Sequence, residues 1–225
     1  KMVSSMKNLY IELFDKLKDR TQSLACCSLM VGKEYKNTDF KLLVVGRAIN
    51  GWDNEWKKET SVDEYAEKVL EMGKNEFQWT KVIDFNSGYN VNNSSFWRVS
   101  RKILEKISEC NDNAWISKIA WSNLYKVSKS SGGNPSDKLC SLQLETCKKI
   151  LLKEIREIKP DLILFITDMN WFKDFNIEEF EIEENSGETV IAYGKYESSK
   201  IIVTKRPEGK KEEKFVDDVI SVFNG

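Results

Sequence analysis

Three short runs constrain the fold of this chain more than any other feature: LLVVG at residues 42–46, LILFI at 162–166 and IIV at 201–203. Each is wholly apolar and rich in branched side chains, with no polar residue alternating through it. Such runs suit strands buried on both faces, the situation of a parallel sheet covered by helices on either side. Between them the apolar residues fall instead at steps of three and four. In residues 4–20, Met6, Leu9, Tyr10, Leu13, Phe14 and Leu17 share one face behind a Ser4 or Ser5 cap. Residues 61–72 repeat the pattern through Val62, Tyr65, Ala66, Val69 and Leu70, and Gly73 ends it. A further helix is expected from Ser94 or Ser95 over Phe96, Val99, Ile103, Leu104 and Ile107, a long one over 142–159 with its exit at Pro160, and a last one over 212–223. The run 115–121 delivers the remaining strand, which ends at Asn123.

Helix and buried strand in alternation predict the α/β class, as a three-layer α/β/α fold with a central four-stranded parallel sheet. At 225 residues, 40% of them hydrophobic, the chain fits one domain over residues 1–225, with residues 1–40 as an N-terminal helical extension. The segment KSSGGNPSDK has the composition of an exposed loop. Residues 172–188 carry seven acidic residues against one Lys and read as a solvated insertion. A protein-interaction surface built on that stretch is a lesser reading.

What the chain lacks narrows its chemistry. There is no His, which excludes an imidazole base, a Ser-His-Asp or Cys-His centre and a His-ligated zinc. With 35 basic and 36 acidic side chains, nucleic acid must be held by a local patch rather than by a global cationic field. Five cysteines without a CxxC pair suit reduced thiols in a cytoplasmic protein. No run of about 18 apolar residues occurs, so no membrane partner is expected. No metal and no cofactor is expected either.

In a parallel α/β sheet, ligands bind beyond the carboxyl ends of the strands. Four segments end there by this reading: 47–53, 123–125, 167–168 and 205–209. The first, GRAINGWD, lacks the glycine spacing that cradles a triphosphate. Its Arg47, Asn50 and Asp53 either face a crevice or form an ordinary tight turn. Asn123 ends an apolar run, where a carboxamide offers one donor and one acceptor to a nucleobase edge, or else satisfies nearby backbone. Phe96 starts a helix, where it can stack on a base or fill the core. Lys205 and Arg206 sit at a strand end within a stretch, 200–214, of six cations and three acids. They can hold phosphate or a developing anion, or form a solvated charge cluster.

Taken together, VVGRAINGWD, SSFWRVSRKIL, IAWSNLYKV and IIVTKRPEGK resemble the motifs of the uracil-DNA glycosylase superfamily in their order and at their strand ends. The resemblance covers residues 42–223. It implies a substrate pocket that includes Gly46, Arg47, Ala48, Phe96 and Asn123, with Asn123 reading the base and Phe96 stacking on it. It implies catalytic roles for Asn50 or Asp53, placing water, and for Arg206, stabilising the anionic leaving base. Lys205, Pro207, Lys210 and Lys211 are implied as nucleic-acid contacts, and the partner is DNA, single-stranded or modified DNA included. The chain departs from the pattern twice. Ala48 is similar to the branches with GEA or GLA in the first motif, and Arg206 stands where His normally bonds the uracil oxygen. A guanidinium is no acid at neutral pH but does stabilise an anion. The implied activity is hydrolysis of the N-glycosidic bond of a flipped uracil or modified base. The alternative is a catalytically silent module of the same fold that binds a nucleobase or nucleic acid.

Overall fold

A computed structural model describes residues 5–52, 54–77, 89–109 and 113–225. In chain order the elements are α1 (Met6–Asp15), β1 (Leu24–Cys26), β2 (Met30–Val31), β3 (Leu42–Gly46), α2 (Val62–Gly73), α3 (Ser95–Ser108), β4 (Ile119–Asn123), β5 (Val127–Lys129), α4 (Asp137–Ile158), β6 (Leu162–Ile166), α5 (Met169–Phe175), β7 (Glu181–Glu184), β8 (Val190–Tyr196), β9 (Ser199–Thr204) and α6 (Glu212–Asn224). They form two compact units, each discontinuous in sequence. The first comprises residues 1–29, 46–74 and 122–158, and the second 30–45, 75–121 and 159–225.

In the first unit, Ser5 caps α1 by accepting from the Asn8 N–H at 3.2 Å, and Ser61 caps α2 by accepting from the Glu64 N–H at 3.2 Å. The acidic Asp63 and Glu64 stand in the first turn of α2, where the helix dipole favours them. α1 packs on α2 and α4. Phe14 of α1 lies 4.8 Å from Tyr65 of α2 and 5.1 Å from Trp56, ring centre to ring centre. The Arg20 guanidinium lies over the Trp56 ring at 3.5 Å from its centre, a cation held over an aromatic face. β1 pairs antiparallel with β5, so beyond its helix the segment 1–40 also contributes strands.

The second unit holds the sheet, of order β2-β4-β3-β6-β9-β8-β7. β3, β6 and β9 are parallel neighbours, and the residues of β3 and β6 are buried throughout, as their apolar runs require. Where the sequence predicts four parallel strands, these three parallel neighbours lie within a mixed sheet of seven. β2 is antiparallel to β4, and β8 and β7 extend the other edge antiparallel. The cause at that edge is local: a two-residue turn joins Tyr196 to Ser199, their strands pair directly, and β7 then finds the open side of β8. Part of the acidic stretch 172–188 is therefore strand, with Glu183 opposite Tyr193 and Ile182 opposite Gly194. A Cβ on Gly194 would run into the Glu181 carbonyl, so only glycine permits this approach. α6 packs on β8, β9 and α3.

Candidate functional site

In the first unit the exit of β3 runs beside the exit of β4. The Gly46 carbonyl accepts from the Leu124 N–H at 2.9 Å, and the Arg47 carbonyl accepts from the Tyr125 N–H at 2.9 Å. The two apolar strands thereby deliver Gly46, Arg47 and Asn123 to one place. Ala48 is half-buried and Ile49 is buried, which pins the loop between them and Asn50. Asn50 is exposed, and its Oδ1 accepts from the Gly133 N–H at 2.7 Å. The expected water-placing amide thus holds the 129–133 turn. Asp53 lies outside the described residues. Next to it, buried Asn54 clamps β1: its Nδ2 donates to the Cys26 carbonyl at 2.7 Å and its Oδ1 accepts from the Cys26 N–H at 3.3 Å.

Asn123 is only 3% exposed. Its backbone is held from beneath. The Lys126 ammonium donates to the Asn123 carbonyl at 2.9 Å, to Ser122 Oγ at 2.6 Å and to Glu154 Oε2 at 2.7 Å. Ser122 Oγ in turn donates to Glu154 Oε2 at 2.7 Å. Lys126 and Glu154 are each 1% exposed in their side chains, so the pair is fully desolvated. Neither residue was singled out from the sequence. The available signal was Glu154 on the apolar stripe of α4, in register with Cys147, Ile150, Leu151 and Ile155.

The same core encloses three thiols. Burial pushes Cys26 and Cys27 well above the ordinary thiol range, and burial pushes Cys147 up to about 12. These cysteines are protonated and inert at neutral pH. Burial likewise raises Tyr10, with the Glu154 carboxylate adding to the shift.

In the second unit, β6 and β9 end side by side. Asp168 leaves β6 at a φ of +64°, in a region that side chains rarely occupy, and two bonds hold it there. Its N–H donates to the Thr204 carbonyl at 3.0 Å, and its Oδ1 accepts from the Arg206 N–H at 3.0 Å. The turn after β9 brings Lys205, Arg206, Pro207 and Lys210 together. Lys210 donates from its backbone to the Pro207 carbonyl at 3.0 Å and from its ammonium to the Arg206 carbonyl at 2.8 Å. Pro207 is buried, Lys205 is half-buried, and Lys210 and Lys211 are exposed. The Arg206 guanidinium is gripped in a fork by Glu208, with Nε 2.9 Å from Oε2 and the second nitrogen on Oε1. Hydrogen bonding to Glu208 raises the Arg206 pKa despite partial burial. Phe96 stands on another element of this unit, the second residue of α3, half-buried and edge-on to Trp97 at 5.0 Å.

Among the described residues, no group of three or more Cys, Asp or Glu side chains could hold a metal ion, and no helix is long and apolar enough to cross a membrane. No protein-family model matches the chain, and no curated protein matches it.

Proposed function

We propose that this chain is a glycosylase-like protein of the uracil-DNA glycosylase superfamily, which takes a flipped uracil or modified base of DNA and reads it through Asn123. In the finer fold that this implies, β4 is the fourth member of the parallel core and helices cover both faces of it. The observation that carries the reading is Asn123 itself: a residue only 3% exposed at the end of an apolar strand, where the exits of β3 and β4 are tied together. Its carboxamide offers one donor and one acceptor, which match the edge of a pyrimidine. In the reaction, a water oxygen attacks C1′ as the N-glycosidic bond breaks, the base leaves as an anion, and the water's second proton passes to solvent. By the resemblance, Arg206 stabilises that anion, Phe96 stacks on the base, and Lys205, Lys210 and Lys211 meet phosphates.

One observation favours the alternative, a silent module that binds a nucleobase without cleaving. Glu208 already neutralises the Arg206 guanidinium through two bonds, which weakens its field at any leaving base. Both readings are tested by incubating oligonucleotides that carry uracil, hypoxanthine or hydroxymethyluracil, followed by alkaline treatment to reveal abasic sites. The enzyme reading expects strand breaks that Asn123→Ala and Arg206→Ala abolish and that Glu208→Gln increases. Saturable binding without breaks, weakened by Asn123→Asp, supports the silent module. Folded protein that neither cleaves nor binds these substrates refutes both.

A further inference from the structure

We infer that Lys126 is a positioning residue for Asn123, held in place by Ser122 and Glu154; the inference rests on Asn123 reading a base. The three hydrogens of the ammonium are all committed, to Ser122 Oγ, the Asn123 carbonyl and Glu154 Oε2. None is left to meet a substrate, so its work is mechanical. The Asn123 carbonyl is pulled toward Lys126, while the next amide, that of Leu124, is tied to the Gly46 carbonyl at 2.9 Å. A peptide plane gripped at both its oxygen and its nitrogen has no freedom to rotate, and the direction of the Asn123 side chain is set with it. The grip is anchored in the core of α4, the longest helix, through Cys147, Ile150, Leu151 and Ile155 around Glu154.

Stability alone does not account for this arrangement. Two opposite charges buried together lose their hydration, and a well-packed apolar pair of similar volume serves a fold as well or better. Nor is the cluster arranged for maximum bonding: Glu154 Oε2 takes two donors, whereas buried Oε1 has no partner among the described residues. An apolar pair, however, cannot donate to the Asn123 carbonyl. Ser122, Asn123 and Lys126 are close in sequence, and Glu154 supplies the counter-charge that keeps an ammonium inside the core.

The experiment compares wild type with the apolar double variant Lys126→Met/Glu154→Leu, reading amide hydrogen exchange, thermal midpoint and the affinity for free uracil. The expected result is a midpoint close to wild type, faster exchange at Leu124 and Tyr125 but not at Leu151, and uracil affinity weaker by about tenfold or more. Ser122→Ala keeps the ion pair and removes one of the three anchors, so it gives an intermediate loosening and carries the same test if the double variant does not fold. Unchanged exchange and affinity in folded variants, with wild type binding uracil, overturn the positioning role and leave the base-reading intact. Loosened exchange with unchanged affinity also overturns it. If wild type binds neither uracil nor the modified bases, base-reading by Asn123 fails, and the positioning role with it.

Discussion

Gly132→Ala is the substitution whose cost follows most directly from the geometry of the first unit. Gly132 has a φ of +96°, and a Cβ there would stand 2.9 Å from Asn50 Oδ1 and 3.4 Å from the Gly51 nitrogen. Its neighbour Gly133 has a φ of +84° and would place a Cβ in open space, with nothing within 4 Å. Both alanines bear the backbone penalty of a left-handed conformation, about 1–2 kcal/mol. Gly132→Ala must in addition push Asn50 away from the Gly133 N–H, which it now meets at 2.7 Å. A bond of this kind contributes about 1 kcal/mol net. The expected losses are therefore about 2–3 kcal/mol for Gly132→Ala and about 1–2 kcal/mol for Gly133→Ala. Urea denaturation at equal m-values measures both. In an Asn50→Ala background the difference between the two glycine variants should disappear, because the crowded atom is gone. Equal losses in the wild-type background, or a difference that survives Asn50→Ala, would refute the reasoning.

Two further expectations concern titrating groups. Cys147 has its pKa raised by burial to about 12, so its contribution is complete below the ordinary thiol range and is lost as pH rises toward that value. Stability should fall by about 1.4 kcal/mol per pH unit from this thiol above pH ~9, and Cys147→Ala should flatten the decline; an identical slope in the variant removes the buried thiol as its cause. Glu212 is held below the usual carboxylate range by hydrogen bonds from Arg98 and then Lys102, against the opposing effect of burial. Its contribution is present above the ordinary Glu pKa and is lost as pH falls through the depressed one. Because the pair is partly solvated, Glu212→Gln should cost only about 0.5–1 kcal/mol at neutral pH, less in high salt, and nothing at pH ~2; a loss that persists in acid contradicts the assignment.

Local patterning carried much of the fold. LLVVG and LILFI can satisfy their side chains only between covered faces, and they are the buried neighbours β3 and β6. Ser5 and Ser61 cap the helices that their spacing announces, since a cap bonds within three residues and so lies within one sequence window. The absence of His likewise removes imidazole chemistry whatever the fold. The outer hairpin was not legible in the same way. Its turn passes through Glu197 at a φ of +52°, without the Asn-Gly or Gly signal that marks such turns, and the partner in β8 decides the conformation. Residues 172–188 read as solvated because acidic side chains dominate, yet the backbone of an edge strand needs only one neighbour and leaves its charges in water.

The candidate site divides along the same line. Asn123 was visible as a polar end to an apolar run. Its burial beside the exit of β3, and the Asn50 bond to Gly133 across 83 residues, are properties of the folded unit. Lys126 and Glu154 stand 28 residues apart, and only packing α4 beneath the end of β4 turns them into a buried pair. Which segments must be buried follows from nearest neighbours and periodicity along the chain. The tertiary structure alone decided which buried polar groups meet, because pairing a desolvated charge requires a partner that the chain brings from elsewhere.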